Sequence, residues 1–435
     1  MWFRRDLRLA DLPALHAAAA EGEVVPLFVV DPAFARSGAP RQQFMRSALA
    51  ALDESMDRAL VYRHGDPMTV VPAFAAEVGA TEVHVTRDYG PYGRRRDAAV
   101  ASALATTGVR LVGTGSPYAV QPGSVAKGDG SAYLVFTPFS KTWRQVGWDA
   151  PLGVPDVHWH GAPAVPCEGP PTSERWPSGA SEREALDRWD DFLPRVADYA
   201  DQRDLPAVDA TSRLSAALRW GLVHPRQLLA DLAASANIHD TGGDSRGHTV
   251  FTNELAWREF YADVLFRRPE TAWAPLDQRI GAMPVDTDAA ARARFDRWAA
   301  GATGVPIVDA GMRQLLATGW MHNRVRMLVA SFLVKDLHLP WQWGARHFMA
   351  HLVDADLASN QHGWQWTAGT GTDAAPYFRI FNPFTQAERF DPTGEYRHTW
   401  VAELDTADYP APMVDHSVER DEALRRYRHA TVGSR

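Results

Sequence analysis

The first third of the chain alternates short β-branched segments with segments of helical periodicity, and this alternation constrains the fold most. Four runs have the composition of buried strands, at 24–30, 59–63, 81–86 and 109–112. Helical segments separate them, at 43–57, 70–76 and 94–105. Continuous apolar strands joined by helices predict a doubly wound parallel sheet with helices on both faces. The pair Trp2–Phe3 fits the end of a further first strand, which is unusually short if no residues precede it.

Beyond residue 115 the pattern changes twice. Prolines and glycines crowd the stretch 116–181, where no apolar period holds, and this predicts a connector that runs over the surface. From 183 onwards apolar residues recur at spacings of three and four, which predicts helices almost throughout. The sequence therefore predicts an α/β domain at 1–115, a connector at 116–182 and an all-helical domain at 183–435.

Length and composition exclude several classes of protein. A chain of 435 residues with 46% hydrophobic and 23% charged residues is a folded protein too long for one ordinary core. No apolar run approaches the ~18 residues of a membrane span, and the basic N-terminus lacks the apolar stretch of a secretory signal. The single cysteine, Cys167, cannot form an internal disulfide, so we expect a cytoplasmic protein without a membrane segment. The net charge of -8 argues against nucleic-acid binding by overall charge, but it does not report a local basic patch.

Familiar cofactor and metal motifs are missing from the sequence. No Gly-x-Gly-x-x-Gly follows a strand, and the glycine-rich stretch 369–372 lacks the lysine of a phosphate-binding Walker loop. His347 and His351 have the i, i+4 spacing of metal ligands, yet ordinary histidines on one helical face are the better interpretation. We therefore predict no nicotinamide cofactor and no metal site.

Two groups of polar residues need a ligand or a partner. The segment 211–215 places three hydroxyls near a helix start, where backbone N–H groups can bind a diphosphate, although Ser and Thr are also the usual N-cap residues. Asp354 and Asp356 lie two apart in an apolar, helical stretch, and buried carboxylates need partners. We predict that Arg326 pairs with Asp354; an exposed acidic face is the alternative.

Four longer segments, together with the opening 3–8, carry a family resemblance. They are 211–215, 253–261, 303–327 and 354–366. In this order they resemble the DNA photolyase and cryptochrome family over almost the whole chain, with most similarity to class I cyclobutane pyrimidine dimer photolyases. Four ordered motifs are poorly explained by helices that merely share a polar face.

The resemblance implies FAD as the cofactor. The residues it implies at FAD are Tyr199, Thr211, Ser212, Arg213, Leu214, Ser215, Phe251, Asn323, Arg326, Asp354, Ala355, Asp356 and Asn360. By this resemblance, 211–215 hold the diphosphate, 354–356 contact the flavin ring and ribose, and Asn360 faces flavin N5. An amide can both donate and accept a hydrogen bond, so Asn360 suits either protonation state of N5 without adding charge.

The resemblance also implies a DNA lesion as the substrate. The residues it implies at the DNA or at the flipped-out lesion are Arg203, Glu254, Trp257, Arg258, Asn323, Arg324, Met327, Trp366 and Arg379. Aromatic faces stack on bases at ~1–3 kcal/mol each, and the arginines would meet phosphates, with surface ion pairs as the alternative for several of them. Asn323 and Met327 match the type that repairs cyclobutane dimers, because photolyases for (6-4) photoproducts have histidines in this pocket.

The implied activity is that of a carbon–carbon lyase, which repairs the dimer by electron transfer from excited, reduced FAD. The implied catalytic residues are Glu254, Asn360, Trp364 and Trp341. Glu254 would hydrogen-bond the lesion, while Trp364 and Trp341 would form the inner part of an electron chain that reduces the flavin. The family's outer tryptophan has no counterpart in 280–289. The candidates to replace it are Trp273, Trp298 and Trp343.

The resemblance leaves the function and the second chromophore with alternatives. A cryptochrome-type blue-light sensor without repair activity is the alternative function, and we expect the lack of a long C-terminal extension to argue against it; a flavoprotein without photochemistry is a third. Segment 91–97 resembles members whose antenna is 8-hydroxy-5-deazaflavin, whereas members that bind methenyltetrahydrofolate tend to have a glutamate in place of Gly93. The expected partner is UV-damaged DNA, with no obligate protein partner.

Overall fold

The structure is a computed structural model that describes residues 1–161, 167–168, 176, 178–238, 246–373 and 379–432. It divides into two compact units. The N-terminal unit comprises Met1–Tyr133, Thr137–Ala197 and Ser212–Pro269. The C-terminal unit comprises Leu134–Phe136, Asp198–Thr211 and Glu270–Arg435. The three domains expected from the sequence, with a connector at 116–182, stay a prediction.

Short parallel strands form the centre of the N-terminal unit, as the sequence predicts. They are β1 (Trp2–Phe3), β2 (Leu27–Val30), β3 (Val61–His64), β4 (Glu82–Val85) and β5 (Arg110–Gly113). β1, β2 and β3 form one parallel sheet in which Leu27 pairs with Trp2 on one side and with Val61 on the other. β4 and β5 form a second parallel pair. Side chains from the strands are buried together with Leu104 in one apolar cluster.

Helices follow the strands, and each of the first four has a proline at its start. The first are α1 (Pro13–Glu21), α2 (Ala39–Ser55), α3 (Pro67–Glu77) and α4 (Pro91–Ala105), with a 3-10 helix at Pro32–Arg36. Each of α1 to α4 has a proline in its first two positions, where the missing N–H costs no helical hydrogen bond and φ is already helical. Asp66 caps α3 by accepting from Met68 N at 2.9 Å. The predicted alternation of strand and helix is confirmed.

The predicted surface connector contains a helix, α5 (Phe136–Val146), so the expectation of an irregular surface segment is wrong there. Phe139 and Trp143 are fully buried. Counted from Phe136, they lie at i+3 and i+7, which is the spacing of residues on one face of a helix. The flanking prolines and glycines hid this period in the sequence. The proline-rich stretch 163–171 lies outside the described residues except for 167–168.

The described part of the chain from residue 182 onwards is mostly helical, as predicted. Its helices are α6 (Glu182–Phe192), α7 (Tyr199–Gln202), α8 (Ser215–Trp220), α9 (Pro225–Ile238), α10 (Arg246–Arg267), α11 (Gln278–Gly281), α12 (Ala289–Ala299), α13 (Pro306–Thr318), α14 (Asn323–Ser331), α15 (Trp341–His351), α16 (Leu357–Ala368), α17 (Pro383–Phe390), α18 (Glu395–Trp400) and α19 (His416–Val432). Short 3-10 helices lie at Leu193–Asp198 and Pro269–Ala272. Within the described ranges, every helix is too short or too polar to cross a membrane.

A π-helical turn, Phe332–Asp336, continues α14 into the core of the C-terminal unit. It carries Lys335, which is buried and donates from Nζ to Ala368 O at 3.0 Å. Burial lowers the pKa of Lys335 well below its usual value. Asp336 meets the imidazole of His416, the first residue of α19, and this contact holds α19 against the turn. The helical periodicity predicted from 183 onwards is therefore confirmed here, with a change of helical type at Phe332.

Glu259 on α10 anchors the segment before α5, and its replacement is expected to destabilise the N-terminal unit. Its carboxylate accepts hydrogen bonds from Ala119 N, Val120 N and Trp143 Nε1 at 2.6, 3.0 and 2.6 Å, and burial raises its pKa to about 7. In Glu259→Gln an amide NH2 would face one of these donors. We expect the free energy of unfolding to fall by about 2 kcal/mol, measured by urea denaturation. The exposed Glu54→Gln is the control, and an unchanged urea midpoint for Glu259→Gln would contradict the anchoring role.

Candidate functional site

The C-terminal unit places Arg326 and Asp354 in an ion pair. Arg326 Nη1 and Nη2 donate to Asp354 Oδ1 and Oδ2 at 3.2 and 2.8 Å. Arg326 Nε donates to Met321 O at 2.8 Å, which fixes the plane of the guanidinium. The Asp354 side chain is only 2% exposed, so the two-point contact compensates a charge that water hardly reaches. The predicted pairing of Arg326 with Asp354 is confirmed.

Asp354 and Asp356 do not share a helix, contrary to the expectation from the sequence. Both lie in the turn between α15 and α16, with the buried Ala355 between them. Asp356 is the N-cap of α16 and accepts from Ser359 N at 3.1 Å. The turn therefore gives the two carboxylates different surroundings: one meets a guanidinium, and the other lies at a helix N-terminus, where negative charge is favourable.

Asn360, on the first turn of α16, uses both hydrogens of its amide within the protein. Its Nδ2 donates to Ala345 O at 3.1 Å and to Gln361 Oε1 at 2.7 Å. Gln361 in turn donates from Nε2 to Ala272 O. The expectation that the Asn360 amide can present either end is therefore wrong. In the described part of the chain, the oxygen Oδ1 is the end that remains for a ligand.

Apolar and aromatic side chains lie near the surface of the same unit. Asn323 is the exposed first residue of α14, and the half-buried Met327 follows one turn later on the same face. The half-buried Trp366 on α16 stacks on Phe381, with 6.5 Å between ring centroids. The guanidinium of Arg379 lies 5.4 Å from the Trp366 centroid. These side chains offer stacking surfaces and a cation, as contacts to bases and phosphates require.

Arg203 and Arg324, two of the arginines expected at phosphates, lie beside acidic and aromatic side chains. Arg324 Nη2 donates to Asp204 Oδ2 at 2.6 Å, and its guanidinium lies 4.5 Å over the ring of Phe390. Arg203 lies 5.3 Å over the ring of Tyr199, the buried first residue of α7, and 4.0 Å from Asp204. Arg324 therefore forms an ion pair within the protein, which is the alternative interpretation for these arginines.

Trp364 packs tightly against α15. Its ring centroid lies 5.0 Å from that of Phe348 and 6.2 Å from that of Trp298, edge-on in both cases. A Cβ on Gly344 would overlap the Trp364 ring, so the absence of a side chain at 344 lets the indole approach α15. Trp341, the first residue of α15, is buried in the same apolar cluster. The two tryptophans expected to be the inner members of the electron chain thus belong to one core.

Trp298 is the candidate outer tryptophan that contacts Trp364. It is fully buried on α12, and its indole N–H donates to Val329 O at 3.0 Å. Phe295 lies 5.6 Å from Trp298 and also 5.6 Å from the half-exposed Trp343. An aromatic path therefore leads from Trp364 through Trp298 towards the surface of this unit at Trp343.

In the N-terminal unit, residues 212–215 form a tight turn into α8. Leu214 N donates to Ser212 Oγ at 3.5 Å, and Arg213 has a left-handed φ of 52°. Ser215 is the first residue of α8, so the prediction that hydroxyls precede a helix start is confirmed. The first N–H groups of a helix have no intrahelical acceptor and can bind an anion. Thr211 belongs to the C-terminal unit.

α10 carries the other predicted residues of the N-terminal unit. Glu254 and Trp257 lie three residues apart, are both half-buried and share one face of the helix. Trp257 packs on Tyr261, with 5.4 Å between ring centroids. Phe251 is buried, with its ring 5.3 Å from that of Trp189, so it takes part in an aromatic core.

Arg258 on the same helix is bound to the backbone of its own unit. Its Nη1 donates to Pro117 O at 3.2 Å and its Nη2 donates to Leu218 O at 3.1 Å. The guanidinium also lies 4.6 Å over the ring of Tyr118. A phosphate would have to compete with these contacts for Arg258.

Sequence reasoning missed two buried glutamines of α16, Gln361 and Gln365. Gln365 donates from Nε2 to Thr271 O at 2.8 Å and accepts from Leu276 N at 2.9 Å through Oε1. The signal was present: two amides four residues apart lie among apolar and aromatic residues, and buried amides need partners. Their partners lie about ninety residues earlier in the chain, where sequence spacing gives no information.

Comparisons with known proteins cover both units. A family model described as DNA photolyase matches residues 1–156, and one described as the FAD binding domain of DNA photolyase matches residues 251–408. A deoxyribodipyrimidine photo-lyase of Synechococcus is 37% identical, over 96% of this chain and 94% of its own length. A class III photolyase structure from Agrobacterium tumefaciens matches with a TM-score of 0.90 and 35% identity, covering 99% and 97% of the two chains. A Synechocystis cryptochrome structure matches with a TM-score of 0.88 and 25% identity, covering 98% of each chain.

Proposed function

This chain belongs to the DNA photolyase family, and we propose that it is a deoxyribodipyrimidine photo-lyase that repairs cyclobutane pyrimidine dimers in DNA by light-driven electron transfer. The proposal rests on two sets of residues on α14. Its first turns present Asn323 and Met327 towards the surface, while Arg326, on the same turns, binds the buried Asp354. One short helix thereby joins residues expected at the lesion to a residue expected at the cofactor.

The polar groups of the C-terminal unit fit the flavin part of FAD. The edge of a flavin ring presents an N–H donor between carbonyl acceptors, with N5 beyond them. Arg326 supplies donors, Asp354 and Asp356 supply acceptors, and Asn360 offers an amide oxygen. The FAD-binding-domain match over 251–408 supports the same cofactor. We keep 211–215 as the proposed ligand of the diphosphate.

The proposed division of labour leaves the hard chemistry to the cofactor. FAD, when bound in its reduced form, supplies an electron to the dimer after absorbing light and regains it once the ring has split. Glu254 would hydrogen-bond a base edge of the lesion, and Trp257 and Trp366 would stack on bases at ~1–3 kcal/mol each. Asn323 and Met327 would line the pocket without adding charge.

The visible absorption spectrum and a repair assay together test the proposed function. We expect the purified protein to show a flavin band and to remove cyclobutane dimers from DNA under blue or near-ultraviolet light, but not in the dark. Protein that binds no flavin would contradict the cofactor. Protein that is loaded with reduced FAD and illuminated, yet leaves the dimers intact, would contradict the enzymatic role.

A cryptochrome-type light sensor is the second candidate, and the match to the Synechocystis cryptochrome favours it. A sensor would bind FAD and respond to light without recognising the lesion. Binding to a dimer-containing duplex, compared with the same duplex without a dimer, separates the two functions. Equal affinity for both duplexes would favour the sensor.

We propose 8-hydroxy-5-deazaflavin as the antenna chromophore, with methenyltetrahydrofolate as the alternative. In the N-terminal unit, a Cβ on Gly93 would overlap the Asp88 carboxylate. Arg5 and Arg96 approach that carboxylate at 3.3 and 3.5 Å. The glutamate common in folate-binding members therefore has no space at 93 unless Asp88 moves. Mass spectrometry of the extracted chromophore tests the proposal, and a folate would overturn it.

Glu254→Ala is expected to weaken binding to dimer-containing DNA while FAD stays bound. Loss of a hydrogen bond to the base edge costs about 1–3 kcal/mol, or roughly fivefold to 150-fold in affinity. Affinity is measured by titrating a labelled duplex, and the flavin band reports the cofactor. The exposed Glu388→Ala is the control. Unchanged affinity and repair yield in Glu254→Ala would remove Glu254 from the lesion pocket.

The pocket should also discriminate between lesions. We expect repair of cyclobutane dimers and no repair of (6-4) photoproducts, because Asn323 and Met327 offer no acid–base group where (6-4) photolyases have histidines. Chromatography of illuminated, lesion-bearing oligonucleotides measures both reactions, and light-dependent loss of the (6-4) product would overturn the assignment. The proposed partner is UV-damaged DNA, and the cytoplasm is the proposed location.

A further inference from the structure

We propose that Gln361 is a positioning residue that holds the Asn360 amide with its oxygen towards the flavin and so favours the reduced state of FAD. The inference rests on the proposed function, since it takes Asn360 to face flavin N5. It adds Gln361, which lies outside the proposed cofactor contacts, and it states that the effect of this residue favours reduced FAD. The three groups that determine the orientation, the carbonyls of Ala272 and Ala345 and the Gln361 side chain, all belong to the C-terminal unit.

Two backbone carbonyls fix the orientation of both amides. A carbonyl oxygen only accepts hydrogen bonds, so Gln361 must turn its NH2 to Ala272 O and its Oε1 to Asn360. The Asn360 NH2 then serves Gln361 Oε1 at 2.7 Å and Ala345 O at 3.1 Å. Reversing either amide would set two oxygens against each other. The two constraints are independent and select the same orientation.

The Ala272 carbonyl is itself held in place. It belongs to the segment 271–276, to which Gln365 donates at Thr271 O and Ala274 O, at 2.8 and 3.2 Å, while accepting from Leu276 N at 2.9 Å. Gln361 is buried, so water cannot readily replace its contacts. The orientation of Asn360 is therefore set by backbone that is anchored independently of Asn360.

An amide oxygen distinguishes the two states of N5. In reduced flavin N5 carries a hydrogen and donates, so Asn360 Oδ1 can accept from it. In oxidised flavin N5 has a lone pair and only accepts, so an oxygen facing it is unfavourable. With the NH2 committed to Ala345 and Gln361, the amide cannot reverse to suit the oxidised state. The arrangement therefore raises the ratio of reduced to oxidised flavin, and repair needs the reduced form.

The decisive measurement is the midpoint potential of bound FAD in Gln361→Met, which keeps an unbranched side chain of similar length and removes the acceptor. We expect the ratio of reduced to oxidised FAD at a fixed solution potential to fall about tenfold, a shift of ~30 mV for a two-electron couple. Gln365→Met is the matched control. It removes an amide that holds the same segment 271–276 but leaves the Gln361 acceptor on Asn360 in place, so any shift of the potential should be clearly smaller than in Gln361→Met.

A double variant separates positioning from a general structural effect. In an Asn360→Ala background, Gln361→Met should cause no further shift of the potential, because Gln361 acts through Asn360. Equal shifts from Gln361→Met in both backgrounds would overturn the inference. So would an equal shift in Gln365→Met.

The FAD content of each protein separates a failure of the proposed function from a failure of the positioning role of Gln361. A parent protein that binds no FAD would overturn the proposed function and this inference with it. Bound FAD whose potential is the same in the parent and in Gln361→Met would overturn the positioning role alone. If Gln361→Met does not fold, the parent loaded with ¹⁵N-labelled FAD decides: the reduced N5–H should exchange more slowly with solvent than in free reduced FAD, and exchange at the free rate would overturn the inference.

Discussion

Trp364→Phe is expected to abolish the light-driven reduction of oxidised FAD while leaving repair by chemically reduced enzyme intact. Phenylalanine fills most of the space between Phe348 and Trp298, so the packing survives. Its ring, however, is far harder to oxidise than an indole, and the proposed first electron donor is then missing. Illumination of oxidised protein with a thiol, followed in the flavin band, measures photoreduction alone. In the proposed mechanism, repair moves an electron from flavin to lesion and does not need this donor.

Trp366→Phe is the matched control, since Trp366 lies two residues further on α16 and stacks on Phe381 instead. It should photoreduce at the parental rate. Trp298→Phe and Trp341→Phe then compare the two continuations from Trp364. A larger loss in Trp298→Phe would favour the path seen in the ring contacts, and a larger loss in Trp341→Phe would favour the family's path. Parental photoreduction in Trp364→Phe would remove Trp364 from the chain.

Arg326→Met is expected to destabilise the C-terminal unit and to release FAD. The variant leaves the Asp354 carboxylate buried without its counter-charge, which costs about 3–5 kcal/mol. Urea denaturation measures the loss of stability, and the ratio of flavin to protein absorbance measures cofactor retention. Arg324→Met, two residues earlier on α14, is the control: the side chain of its partner Asp204 is 31% exposed, so the carboxylate that is left behind stays hydrated and the loss should be smaller, about 1 kcal/mol.

Adding Asp354→Asn to Arg326→Met separates stability from binding. The double variant removes the uncompensated charge, so much of the lost stability should return, because a buried pair is costly to break but cheaper to remove whole. FAD should remain weakly bound, since both of its proposed contacts are gone. Recovery of full FAD content in the double variant would show that the Arg326–Asp354 pair is structural only.

The sequence predicted the elements with strong local signals. The strands that became β2 to β5 are apolar runs bounded by turns, and α2 to α4 overlap the predicted helical segments 43–57, 70–76 and 94–105, so both were recognised without tertiary information. α5 was missed because its buried face has only three apolar residues, among prolines and glycines. A short helix of this kind is stabilised mainly by the surface on which it packs. The residues of that surface are distant in the sequence, so a short stretch of sequence does not reveal them.

The sequence predicted one ion pair of the candidate site but not the hydrogen bonds around it. Arg326 and Asp354 were paired correctly because a buried carboxylate needs a cation. The orientation of Asn360 depends on Ala272 and Ala345, backbone groups whose identity in the sequence carries no signal. For Arg258 the family resemblance implied a phosphate contact, whereas the fold brings two backbone carbonyls within hydrogen-bond distance of its guanidinium.

The absence of a side chain at Gly344 determines how closely the Trp364 ring approaches α15. The Trp364 ring occupies the space in which a side chain at 344 would lie, so each added methyl group has to push the indole, or α15, outwards. Gly344→Ala would thus displace the proposed donor while leaving its oxidation chemistry unchanged. A series of side chains of increasing size at 344 would show how the photoreduction rate depends on the position of the Trp364 ring. One glycine on a neighbouring helix thus allows the position of the donor to be varied without changing the donor itself.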